Sequence, residues 1–306
     1  MTHTFAHFLE YTRKERGLTQ QEMLELLVES DLSLSKLDLT TFSRWERGVT
    51  TPKLTKQLLI ARVLGEDVTP LIDSEVQPTD KRKSNFDKSI RRTLNPYLID
   101  SDTFIHNHDK SLLDELDLCQ KLSVFHLNYL GVTIEAETIQ KSKLLLSTCH
   151  HSSGTLVGHC LYGFVPSKTK AILCSPSQLS NCPLLTPELA QKQPVDMYIV
   201  STFGSLSVSR MSNTLMILDI LRQNTHIKNV ILNSHDQETF NLYDNNTECE
   251  VLSKGEEVPF GGVKIFGKHY KYAQIKMSVE SILATKVVSS FVPFTQENIH
   301  TFLNDD

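Results

Sequence analysis

Leu39-Thr-Thr-Phe-Ser-Arg-Trp-Glu-Arg-Gly-Val-Thr-Thr-Pro52 decides how the first part of this chain folds. Phe42 and Trp45 lie three residues apart, so in a helix they share a face. Gly48 can take the left-handed conformation that closes a helix, and Pro52 cannot continue one. The stretch therefore predicts a short helix anchored by two aromatic rings, with Thr40, Thr41, Ser43 and Arg44 on its other faces. Small hydroxyls and a guanidinium displayed on an anchored helix are suited to reading base edges in the DNA major groove.

Working outward, Phe5, Phe8 and Leu9 describe an amphipathic helix that ends near Gly17. Thr19 caps a second helix, Gln20 to Val28, with Glu22 placed to complete a capping box. Downstream, Leu54, Leu58, Leu59, Val63 and Leu64 recur at helical spacing up to Gly65. Residues 1–73 thus read as a small all-α domain.

Arg13, then Gly17-Leu18-Thr19-Gln20-Gln21-Glu22, then Ser43-Arg44-Trp45-Glu46-Arg47-Gly48, Pro52, and finally Leu58, Ala61 and Leu64-Gly65 form an ordered string. The string resembles the lambda-repressor/Cro-type (XRE-like) helix-turn-helix family over roughly residues 5–66. The resemblance implies a partly buried ion pair between Arg13 and Glu46, which removes both from DNA contact. It also implies double-stranded DNA as partner. Thr40, Thr41, Arg44 and Ser43 are then expected at base edges, and Gln20, Gln21, Arg47 and Lys53 at phosphates. Two departures affect the angle between the helices. Leu24 stands at a position usually small, and roughly Glu29 to Lys36 is an insertion in the turn.

Composition narrows the class. The net charge is -5, and residues 1–74 carry nine Lys/Arg against eleven Asp/Glu, so this domain should hold phosphates weakly as a monomer. A homodimer reading two half-sites is the expected remedy, and a helix-turn-helix that binds another protein is the competing one. No run of 18 apolar residues or signal-peptide core occurs, so no membrane association and a cytoplasmic location are expected. The six cysteines include no Cys-x-x-Cys pair and read as reduced, buried thiols. Cys149-His150-His151 with His159-Cys160 lacks standard ligand spacing, so no metal site is assigned.

Residues 74–93 turn polar and basic, with Lys81, Arg82, Lys83, Lys88, Arg91 and Arg92. The segment reads as a linker, either lying along phosphates or simply solvated. Residues 94–306 form the second domain. Leu94 to Leu130 reads as helices and a loop. Lys143–Cys149 and Thr155–Val165 read as strands joined by a hairpin at Ser152-Ser153-Gly154. Further strands are expected over Asp196–Phe203 and Lys228–Leu232, each followed by a helix, Met211–Arg222 and about Gln237–Tyr243. Strands alternating with helices after a hairpin imply a mixed α/β sheet.

Gly154-Thr-Leu-Val-Gly-His and the run from Leu232-Asn233-Ser234-His235 to Tyr243-Asp244 make this domain resemble the GNAT acyltransferase fold over roughly residues 95–290. Asn233 and Tyr243 occupy the family's asparagine and tyrosine positions. The resemblance implies acetyl-CoA or CoA as cofactor and Tyr243 as the acid that protonates the departing thiolate. Tyr243 can equally pack its helix on the sheet, and His235 can be a base or a solvated loop histidine. The resemblance places the pyrophosphate turn at Ser207-Val208-Ser209-Arg210-Met211-Ser212, so the candidate cofactor residues are Ser207, Ser209, Arg210, Ser212 and Asn233. Such turns need backbone N–H groups close to phosphate, yet Arg210 and Ser212 stand where the family has small, glycine-like residues. No carboxylate on Met197–Phe203 offers a general base, and Asp196 falls at its start. The reading favoured is a transcription regulator with a non-catalytic GNAT-like domain for dimerisation or for sensing a small-molecule effector. The alternative is an acetyl-CoA-dependent N-acyltransferase carrying a helix-turn-helix targeting module.

Overall fold

Helix starts in the N-terminal region are written in its side chains. Thr4 caps α1 (Phe5–Glu15), and Thr19 caps α2 (Gln20–Ser30) in a full capping box with Glu22. Asp38 caps α3 (Leu39–Glu46), accepting from the Thr41 N–H at 2.7 Å. α4 (Leu54–Val63) follows Pro52. The computed structural model describes residues 4–72, 104–245 and 247–285. The basic segment read as a linker, residues 74–93, lies outside the described residues. Phe42 and Trp45 turn inward against Phe5, Leu9, Met23 and Leu58. Burying each such ring is worth on the order of 2–3 kcal/mol.

Beyond the gap the chain forms a mixed α/β domain. Its strands are β1 (Phe104–Ser111), β2 (Leu145–His151), β3 (Leu156–Pro166), β4 (Val195–Gly204) and β5 (Ile227–Ser234), then β6 (Glu250–Lys254) and β10 (Ala273–Ser278). They make a seven-stranded sheet in the order β1-β2-β3-β4-β5-β10-β6, while β7 (Glu257–Val258), β8 (Val263–Ile265) and β9 (Lys268–Tyr270) form a small separate sheet. All neighbouring pairs in the large sheet are antiparallel except β4 and β5. On one face lie α5 (Leu116–Phe125), a π-helical turn His126–Leu130 and α6 (Ala136–Gln140), packed over Tyr198, Val200 and Ile231. α7 (Pro187–Ala190) is a single short turn before β4. The other face carries α8 (Ser207–Gln223), α9 (Gln237–Asp244) and α10 (Val279–Leu283).

Two sequence expectations change, and a stretch for which no element was expected acquires several. Residues 104–111, expected among helices and a loop, are an edge strand paired with β2. The helix expected from Met211 starts at Ser207, four residues earlier. The chain after Tyr243 supplies five further strands, including β10, which inserts between β5 and β6. Among the described residues no helix is long and apolar enough to cross a membrane.

Candidate functional site

Two regions gather the residues singled out by the sequence. The first is the outer side of α3. Arg13 Nε donates to Glu46 Oε1 at 2.6 Å and Arg13 Nη1 to the Leu18 carbonyl at 2.8 Å, tying α1 and the start of α2 to α3. Gln20 donates its amide to the same Glu46 carboxylate, so its side chain is engaged within the fold. Thr40, Arg44 and Arg47 are exposed, and their spacing of four and three aligns them in one stripe opposite Phe42, Trp45 and Glu46. Thr41 is half-buried, and its hydroxyl and N–H both go to the Asp38 carboxylate. Ser43 is also half-buried, and its carbonyl accepts from Arg47 Nε at 3.2 Å. Gln21 is exposed and bonded to Glu25 at 2.7 Å.

The insertion before α3 is a 3-10 turn, Leu32–Leu34, that buries Leu34 and leaves Leu32 exposed. Leu32, Trp45 and Lys53 border a groove of about 980 Å3 between the helices and the α/β domain, where Lys56 and Lys228 also stand. Lys53 is thus displaced from the α3 stripe toward the second domain.

The second region lies where β4 and β5 part. Their parallel pairing runs from Val195 opposite Ile227 to Ile199 opposite Leu232 and stops, although both strands continue. At the same point Leu161 of β3 faces Ser201 while Tyr162 faces Ile199, so Val200 is an extra residue on β4. Such a bulge bends the strand and turns the following side chains to the other face. Ile199, Val230 and Leu232 with Ile217, Leu218, Leu242 and Ile282 wall a narrow cleft of about 110 Å3. Arg210, His235, Asp236, Thr239 and Tyr243 supply its polar edge.

α8 sits close to the strands because glycines lie beneath its first turn. A Cβ on Gly204 would come within 2.7 Å of Arg210 Cγ, and one on Gly158 within 2.7 Å of Ser209 Cβ. Of the turn candidates, Arg210 lines the cleft and donates from Nη1 to the Gly204 carbonyl at 2.6 Å. Ser209 is buried and donates to the Leu206 carbonyl at 3.0 Å, while Ser212 Oγ lies 3.0 Å from His106 Nδ1 on β1. Both therefore face the sheet. Ser207 is half-buried and does not line the cleft. Asn233 is buried across the parted strands, donating to the Val200 carbonyl at 3.0 Å and the Tyr198 hydroxyl at 3.2 Å, and accepting from Gln274 at 2.9 Å. Tyr243 does reach the cleft. Burial first, then Cys160 and Asp236, push its pKa up to about 12, so its hydroxyl keeps its proton at neutral pH.

The opposite side of the parting holds a cluster that the sequence did not reveal. Ser201 Oγ lies 2.9 Å from His126 Nε2 and 3.1 Å from His159 Nε2, with all three residues buried. Burial lowers the His126 pKa to about 4, and burial followed by His126 and His235 lowers His159 to about 3. Both rings are therefore neutral. Phe125, Tyr129, Phe203 and His235 pack over them with ring centroids 4.6–6.3 Å apart. His235, read as a base or a solvated loop residue, is a half-buried member of this cluster that also edges the cleft.

Among the described residues no three His, Cys, Asp or Glu side chains converge as a metal site, and Cys149 instead lies 3.8 Å from His106 Nε2. Compared with protein-family models, curated proteins and solved structures, the chain gives no significant match to any.

Proposed function

We propose that the chain is a sequence-specific DNA-binding transcription regulator of the lambda-repressor/Cro helix-turn-helix type, with a GNAT-like α/β domain that serves sensing or dimerisation. The observation that carries this reading is the exposed stripe Thr40, Arg44 and Arg47 on a helix held in place by Arg13 and Glu46. An exposed guanidinium on such a helix can meet guanine O6 and N7 together, whereas Gln21 at the flank can only add a phosphate contact. The test is a gel shift of genomic fragments against random duplexes, with Arg44→Ala. Loss of about 1–3 kcal/mol on the selected site, with little change on random DNA, is the expected result. Equal loss on both would sink the assignment, and binding to neither would favour a protein partner for α3.

A strand pair that parts beneath a helix N-terminus supports the GNAT-like reading, since an elongated thioester needs both an opening and backbone N–H groups for its phosphates. Arg210 beside that opening and Asn233 across it favour a small effector over an intact cofactor site. The second reading, an acetyl-CoA-dependent N-acyltransferase, is favoured by one feature, the place of Tyr243 on the cleft.

A further inference from the structure

α4 ends against the α/β domain, and the residue at the contact is Arg62. Its side chain is 1% exposed, and its Nε donates to Glu280 Oε1 of α10 at 2.8 Å. Nη1 donates to the Leu221 carbonyl at 2.5 Å, and Nη2 to the carbonyls of Asn224 at 3.1 Å and Ile227 at 2.6 Å. A planar fork bonded through Nε, Nη1 and Nη2 is held in one orientation, and it sits where the last carbonyls of α8 carry negative partial charge. Burial draws its pKa down and Glu280 opposes that, while arginine's intrinsic basicity keeps the guanidinium charged.

What Arg62 grips matters more than how tightly. Leu221 and Asn224 are the end of α8, and Ile227 is the start of β5. α8 and β5 are two walls of the cleft, and Ile282, two residues beyond Glu280, is another lining residue. One guanidinium therefore joins α8 to β5, and it cannot keep all of its acceptors if α8 moves relative to β5. The apolar packing is continuous across the same junction, from Leu58 and Ile60 through Ile282 and Leu283 to Leu218 and Val230. A second tie is looser, with Arg222 Nη1 3.5 Å from Asp67 and 3.3 Å from the Thr69 hydroxyl.

We propose that Arg62 locks the helical domain to both walls of the cleft, so that a change in the spacing of α8 and β5 is felt in the helices around α3. The regulatory meaning of this coupling rests on the function proposed above; the coupling itself does not, and its test involves no DNA.

The chain carries its own reporters. Trp45 is the single tryptophan and lies in the helical domain, whereas all six cysteines, Cys119 to Cys249, lie in the α/β domain. Urea unfolding of the full chain is followed by Trp45 emission and by thiol reactivity. In the wild type the two midpoints should coincide. Thr214→Phe, which wedges the cleft, and Arg13→Met, which loosens the helices, should each move both midpoints together. In an Arg62→Met background each should move only the midpoint of its own domain. Arg62→Lys keeps the charge but loses the fork, and should separate the midpoints even if Arg62→Met fails to fold. Midpoints that differ in the wild type, or that stay coincident in Arg62→Lys, would overturn the proposal. So would a Thr214→Phe change that never reaches Trp45.

Discussion

The two imidazoles on Ser201 set a pH dependence whose sign and size follow from their burial. A hydroxyl has one proton, so it can donate to one Nε2 and must accept from the other; with both rings held neutral by burial, they are of opposite tautomer at Nε2. Protonating both would leave the Ser201 proton without an acceptor and place two cations on one buried oxygen. The folded-state pKa values of about 4 for His126 and about 3 for His159 compare with an ordinary value near 6.5. A unit or more above pH 6.5 neither state binds the protons and stability is flat. As pH falls below 6.5 the unfolded chain takes up two protons that the folded chain refuses, so stability falls until the folded pKa values are reached. Integrated from pH 7 to pH 5, each ring removes about 2 kcal/mol, and the pair about 4 kcal/mol. Ordinary carboxylates titrate mostly below this window, while His226, also lowered by burial, acts in the same direction. Urea unfolding at pH 7.5, 6.5, 5.5 and 5 measures the effect. His159→Gln should remove about half of the loss and His126→Gln with His159→Gln most of it. A wild type that is flat over this range, or a double variant as acid-sensitive as the wild type, would refute the reasoning.

Two further outcomes follow from the same geometry. Glu46→Ala strands both Arg13 and Gln20; because Arg13 keeps 16% side-chain exposure and can rehydrate, the cost should be about 2–3 kcal/mol, below that of a fully buried pair, read as an earlier Trp45 transition. Tyr243→Phe removes only a hydroxyl at the cleft, so stability should change by about 1 kcal/mol or less; if the acyltransferase reading holds, acetyl-CoA-dependent transfer to an amine should fall sharply while acetyl-CoA affinity is kept, and unchanged transfer would remove Tyr243 as proton donor.

The helical domain was legible because its punctuation is local. Gly48 takes φ +69° where a helix had to stop, and the Thr19–Glu22 capping box forms as its spacing requires. Phe42 and Trp45 needed only the helical period to be placed in a core. The hairpin glycine Gly154, at φ +85°, was readable for the same reason. The cleft was legible only in part. Placing the start of α8 at Met211 rather than Ser207 hid its phase, which puts Ser209 and Ser212, three apart, on the sheet side and Arg210 on the cleft side. Residues 104–111 have no apolar run, because an edge strand half open to solvent needs none. Partners far apart in sequence left no trace. Arg62 drew no assignment from the sequence, because its acceptors lie more than 150 residues away. Asn233 was found by resemblance, but its link to Gln274 and the Val200 carbonyl depends on strand order that no spacing predicts.

That long-range link changes how a regulator of this kind would work. The helical domain carries nine basic against eleven acidic residues up to position 74, and one of the eleven, Asp38, stands at the start of α3 itself. One such domain has little general attraction for phosphate, so on the proposed reading two copies must act together. If the helices hung on a free tether, a pair could adapt to half-sites at several separations. With Arg62 fastened to α8 and β5, any dimer formed through the α/β domains would instead hold its two α3 helices at one separation. Tolerance of operators with inserted base pairs should therefore be low in the wild type and rise in Arg62→Lys. A ligand that parts α8 from β5 would then act on DNA by changing that separation, with no need to touch the reading helix.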